Sequence, residues 1–126
     1  MTPSEIITQE AQNIGVDADV ILRKINKLVQ SKAGVLLQKN NSLLLLITIA
    51  KHVVELHVFT ADRPAVLADS VKYFISKIRE SDIKKVYGDS NPKQEGELQK
   101  TLKLLKKLGV NVEKSNVPQY SWMAKV

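Results

Sequence analysis

Residues 53 to 113 run through strand and helix patterns twice, and no other stretch limits the possible folds as much. Val53-Val-Glu-Leu-His-Val-Phe59 is short, β-branched and aromatic, and it stops at the polar turn Thr60-Ala-Asp-Arg-Pro64. That composition reads as a strand. Beyond the turn, Leu67, Val71, Phe74, Ile75 and Ile78 fall at i, i+4, i+7, i+8 and i+11. These intervals trace one helical stripe, which must pack on a sheet or another helix. Asp62 stands where an N-cap is expected.

The unit then repeats. Asp82-Ile-Lys-Lys-Val-Tyr87 reads as a short strand, Gly88-Asp-Ser-Asn-Pro92 as a turn, and Lys93 to Leu108 as a second amphipathic helix. Leu98, Leu102, Leu105 and Leu108 form its apolar stripe, with Leu104 at the margin. Gly109 suits the left-handed residue that closes a helix, and Val110-Asn-Val-Glu113 leaves as a new strand. Strands joined through helices of this length favour parallel pairing, and hence an α/β sheet with helices on its faces.

The 126 residues suit one domain, divided into a helical pair at 1–33, an antiparallel meander at 34–60 and a β-α-β-α-β-β half at 61–126. Cysteine is absent, which excludes disulfides and thiolate metal sites. Two histidines five residues apart, without acidic residues at ligand spacing, predict no metal. There is no P-loop, no dinucleotide-type glycine fingerprint and no Gly-x-Ser-x-Gly elbow. The apolar run from Leu43 to Ala50 is too short to span a bilayer, so a cytoplasmic protein with no membrane partner is expected.

Charge is uneven. Residues 1–62 hold six Lys/Arg and six Asp/Glu, whereas 63–126 hold thirteen and seven, so the net +6 lies in the second half. Lys100, Lys103 and Lys107 recur along one side of the last helix. They form a solvated helix face or a contact for an anionic partner. With six aromatic residues and no nucleic-acid motif, sequence-specific nucleic-acid reading is not expected.

Nearer the N-terminus, Pro3 to Ile14 reads as a helix entered through Thr2 or Ser4 and closed by Gly15. Asp17 opens a second, with Val20, Ile21, Ile25, Leu28 and Val29 on its apolar side. Gly34 to Gln38 and Leu43 to Ala50 flank an asparagine turn as a β-hairpin, and the unbroken second run suggests a strand buried on both faces. Lys51-His52 turns into the strand at 53, and Val110 to Lys114 and Tyr120 to Lys125 end the chain.

The resulting order, α-α-β-β-β-α-β-α-β-β, resembles the GNAT acetyltransferase superfamily without its usual first strand. Ser90-Asn-Pro92, Leu104-Leu-Lys-Lys-Leu-Gly-Val110 and Val112-Glu113 carry the local likeness. The order covers residues 16–126, and the motif about 85–113. The resemblance implies a mixed central sheet with helices on both faces. It also implies acetyl-CoA in a splay beside the family's fourth strand, its pyrophosphate held by backbone amides of a glycine-rich loop at the N-terminus of the following helix. Here that loop is Thr60-Ala-Asp-Arg-Pro-Ala65, without glycine, with Pro64 removing a donor and Asp62 expected to place its carboxylate over the helix end. The tyrosine that serves as acid in many relatives falls at Leu105.

These departures lead to the expectation of a non-catalytic GNAT-like structural or assembly module without cofactor, in the style of proteins carried by tailed-bacteriophage virions. Such a module would act through a protein partner, a second copy or an anionic surface met by Lys100, Lys103 and Lys107. The alternative is a divergent acetyl-CoA-dependent N-acetyltransferase. In that case Glu55 and His57, alternating onto one face of their strand, are the base candidates, and Tyr87 at the end of the neighbouring strand is the acid. Arg63 and Asn91 would then contact acetyl-CoA. Otherwise Glu55 and His57 form the polar face of a half-covered strand. Tyr120 and Trp122 are expected to pack in the core or an interface.

Overall fold

A computed structural model of the chain describes residues 1–88 and 102–126. Helix α1 (Pro3–Ile14) is entered through a reciprocal cap: Thr2 Oγ1 accepts from Glu5 N–H at 3.2 Å, and Glu5 Oε1 accepts from Thr2 N–H at 2.9 Å. Gly15, at φ 74°, ends it, and the left-handed conformation explains the glycine. Asp17 caps α2 (Ala18–Gln30) by accepting from Asp19 N–H at 2.9 Å. Both helices thus start where the sequence indicates, and α1 also stops there.

Three antiparallel strands follow, β1 (Gly34–Lys39), β2 (Ser42–Ala50) and β3 (Val53–Thr60). Helix α3 (Pro64–Glu80), strand β4 (Lys85–Gly88), helical residues 102–107 (α4), β5 (Asn111–Lys114) and β6 (Trp122–Lys125) complete the order. Among the described residues, six strands make one mixed sheet in the order β1-β2-β3-β4-β6-β5. Its architecture agrees with the expected fold class.

Helices cover both faces. Ile6, Ile7 and Ile25 of α1 and α2 pack on Leu43 and Leu45, whereas Phe74, Ile75 and Ile78 of α3 and Leu105 of α4 pack on Leu44, Leu46, Val54 and Val86. Alternate residues of β2 therefore serve opposite cores, which is why its first half is continuously apolar. At about 1.5–3 kcal/mol for each large aliphatic side chain taken from water, these two layers drive assembly.

Some expected details change. Only Ser42 to Leu46 of β2 are buried on both faces; farther on, beyond the helices, Ile49 is exposed. Val20 and Val29, expected on the packed side of α2, are also exposed, because the stripe that meets the sheet is Ile21, Ile25 and Leu28. Strand β4 begins at Lys85 rather than Asp82, and β6 at Trp122 rather than Tyr120. Tyr120 instead belongs to the preceding loop, whose use becomes clear at the site. Among the described residues, no helix is long and apolar enough to cross a membrane.

Candidate active site

Strands β3 and β4 pair in parallel at Val53–Lys85, Val54–Val86 and Glu55–Tyr87. Beyond that, β4 ends at Gly88 while β3 continues to Thr60. The two strands share a short base of pairing, after which β3 has no described strand partner on that side, and Thr60 N–H donates instead to Glu10 Oε1 of α1 at 3.4 Å. This is a splay in the sheet.

Glu55 and His57 lie at its start and point to the same face, as alternation along a strand requires. His57 Nε2 lies 2.8 Å from Glu55 Oε2, and the Tyr120 hydroxyl donates to Glu55 Oε1 at 2.6 Å. Tyr87 stands directly opposite Glu55 on β4, and its ring centroid is 5.2 Å from that of Tyr120. Three side chains, from β3, β4 and the β5–β6 loop, thus gather beside the Glu55 carboxylate.

The carboxylate sets the chemistry. Burial raises the Glu55 pKa, but hydrogen bonds from Tyr120 and His57, with the charge of His57, outweigh it and hold the group below its ordinary value. Glu55 is therefore an acceptor at neutral pH, so His57 must donate through Nε2, and the lone pair of the neutral imidazole lies on Nδ1. A strand-borne histidine oriented by a carboxylate is suited to accept a proton. The sequence-nominated Glu55, His57 and Tyr87 are brought together. Tyr120, assigned to packing, joins them through its hydroxyl; 65 residues separate it from Glu55, and no local pattern marks the pairing.

The β3–α3 loop corrects another expectation. Asp62 does not cap α3; Arg63 occupies the N-cap position, without a side-chain cap, and Pro64 follows. The Asp62 carboxylate turns back to the β1–β2 hairpin, accepting from Asn41 N–H at 3.1 Å, Ser42 Oγ at 2.6 Å and Ser70 Oγ at 3.3 Å. There the carboxylate joins the fully buried Ser42 and Ser70 hydroxyls and gives the Asn41 amide its acceptor, whereas the helix end is in water and its amides can be solvated. Leu67 N–H donates to Arg63 O at 2.8 Å, but no described hydrogen bond takes the exposed Ala65 and Val66 amides. The anion-binding end of the helix is thus open rather than covered by a carboxylate.

Leu105, at the position of the relatives' acid, is buried on the opposite face among Phe74, Val86 and Trp122, so it cannot mark a site. Lys103 and Lys107 are exposed on α4; Lys100 and Asn91 lie outside the described residues.

No protein-family model and no curated protein matches the chain. Solved structures do. The spermidine N-acetyltransferase of Vibrio cholerae in complex with CoA and spermine is similar over 86% of this chain and 73% of its own, at 18% identity and a TM-score of 0.55. A chimera of Vibrio cholerae SpeG and hSSAT matches over 94% and 82%, with 14% identity and a TM-score of 0.55. A second such chimera matches over 99% and 90%, with 13% identity and a TM-score of 0.53. The fold is that of the GNAT acetyltransferases.

These neighbours correct the expectation of a non-catalytic structural or assembly module, since the proteins that share the fold are N-acetyltransferases. None of these likenesses supports the bacteriophage association. The expectation of no cofactor likewise loses its ground, because one neighbour is a complex with CoA and the carboxylate thought to repel pyrophosphate is turned away.

Proposed function

We propose that this protein is an acetyl-CoA-dependent N-acetyltransferase. The observation that carries the reading is the Glu55–His57 pair at the start of the β3–β4 splay. Likeness at this level of identity supports the fold; the activity is argued from the chain's own residues.

The residues present fit the group. Among the described residues, β3 backbone between Glu55 and Thr60 has no strand partner on the β4 side and offers donors and acceptors for an extended arm, and the Ala65 and Val66 amides with the Arg63 side chain offer an anion site at the start of α3. When bound, acetyl-CoA supplies the thioester carbonyl that an amine attacks and the thiolate that leaves as the C–N bond forms and the C–S bond breaks. Glu55 holds His57 with its proton on Nε2, and His57 Nδ1 takes the proton lost by the amine. The Tyr87 hydroxyl is the donor for the leaving sulfur, and exchange with water restores both groups. Spermidine and spermine, the compounds named with the structural neighbours, are the first acceptors to try.

The test is calorimetric titration with acetyl-CoA, followed by thiol release in the presence of amines. Micromolar binding is expected, weakened about tenfold by Arg63→Ala, the loss of one charge-assisted contact. A folded sample that binds nothing at millimolar acetyl-CoA would refute the reading.

A further inference from the structure

The loop between β5 and β6 is closed on itself and docked beside the splay. Ser115 Oγ donates to Val117 O and accepts from Val117 N–H, both at 3.0 Å. Tyr120 N–H donates to Val117 O at 3.1 Å, and Ser121 N–H donates to Gly88 O, the last residue of β4, at 3.0 Å. From this anchored loop the Tyr120 hydroxyl reaches Glu55, while its ring lies against Tyr87. Packing alone accounts for the ring but leaves the 2.6 Å hydrogen bond unexplained.

We propose that Tyr120 is a positioning residue: by holding Oε1 of Glu55 it commits Oε2 to His57 and fixes the imidazole with its proton on Nε2. A carboxylate with one partner can rotate and exchange its oxygens, whereas donors on both oxygens determine its orientation. Only the consequence for turnover rests on the acetyltransferase reading.

The surroundings favour this role over that of an acid. A phenol that gave up its proton here would leave a phenolate against the Glu55 carboxylate, two anions in hydrogen-bond contact. The other titratable or charged groups on this face are His57 of β3, Tyr87 of β4, Glu113 at the end of the same cross-strand row, Lys85 and Lys125 one row away, and Glu10 of α1 at the Thr60 end of β3. Among the described residues, neither lysine makes an ion pair that would replace the Tyr120 hydrogen bond.

The test compares wild type, Tyr120→Phe and Tyr120→Ala by NMR of the His57 ring nitrogens and by titration of the Glu55 carboxyl. Phe keeps the ring against Tyr87 and removes only the hydroxyl. In Tyr120→Phe, the Glu55 titration midpoint is expected to move up, and His57 to change from a single Nε2–H tautomer to a mixture. If acetyl transfer occurs, kcat should fall about tenfold, a fraction of what proton transfer contributes, with KM for acetyl-CoA unchanged within about twofold.

A folded Tyr120→Phe protein with unchanged Glu55 titration and His57 tautomer would overturn the proposal. So would a wild-type Glu55 midpoint at or above the ordinary glutamate range, which needs no variant to fold. Lower thermal stability in Tyr120→Ala, with these readings unmoved in Tyr120→Phe, would reduce Tyr120 to packing. Absence of acetyl-CoA turnover would strike the proposed function and leave the NMR result to judge Tyr120.

Discussion

The indole of Trp122 occupies the space that a Cβ on Gly88 would need, and the two residues are directly opposed in the β4–β6 register. The close approach requires glycine at the last position of β4, where the splay opens. The same residue's carbonyl holds the Tyr120 loop through Ser121 N–H. Gly88→Ala must displace the indole or the strand, and a cost of about 1–3 kcal/mol is expected from overpacking. Trp122 is the protein's one tryptophan, so its fluorescence should shift in the folded variant. Urea unfolding and an emission spectrum check both expectations, and wild-type values in each would show that the site tolerates a methyl group.

A second prediction concerns Asp62. Its carboxylate serves the Asn41 amide and the buried Ser42 and Ser70 hydroxyls. Asp62→Ala leaves the Asn41 N–H without its acceptor, whereas Ser42 Oγ keeps Thr60 Oγ1 and Ser70 Oγ keeps Lys39 O and Val66 O, and a cost of about 1–3 kcal/mol is expected. Asp62→Asn, which keeps one carbonyl acceptor, should cost less. The check is the urea midpoint at constant slope. Equal losses in the two variants would mean that packing, rather than hydrogen bonding, is what Asp62 contributes.

The contrast between this network and the helices marks what the sequence can convey. The Thr2 and Asp17 caps, the Gly15 stop and the order of elements along the chain were legible because each depends on neighbours within a few residues. Alternation put Glu55 and His57 on one face for the same reason. Asp62 was misplaced because two rules competed: local capping favoured the helix end, whereas two distant serines with no access to water claimed the carboxylate. Tyr120 was missed because its partner lies on another strand across the sheet. Its ring predicted burial, but nothing in Val117-Pro-Gln-Tyr120 specified where the hydroxyl would end.

The lowered Glu55 pKa gives a signed prediction for stability against pH. A carboxyl depressed on folding contributes stability that is fully present above its unfolded pKa and lost as pH falls through the folded one. Here burial opposes the depression and the Tyr120 and His57 interactions produce it. Glu55→Gln cannot titrate at this position. The stability gap between wild type and Glu55→Gln should therefore be constant above the ordinary glutamate range and narrow below it. Urea unfolding at stepped acidic pH measures the gap; a gap that grows toward low pH would have the wrong sign.

The choice of proton donor can be tested by treating two positions in opposite ways. Tyr87 lies opposite Glu55 on the site face, whereas Leu105 packs on the other face of the sheet against Phe74, Val86 and Trp122. Tyr87→Phe keeps the ring beside Tyr120 and deletes the hydroxyl. Under the acetyltransferase reading it should lower kcat by about 10²-fold or more, the scale of a lost general acid, with little change in stability. Introducing a phenol by Leu105→Tyr should fail to restore it, since the new hydroxyl enters an apolar core without a polar partner and costs about 1–3 kcal/mol. Steady-state kinetics of Tyr87→Phe and of the double variant, with unfolding curves for each, make the comparison. Recovery of turnover in the double variant would place the acid on α4 and remove Tyr87 from the mechanism.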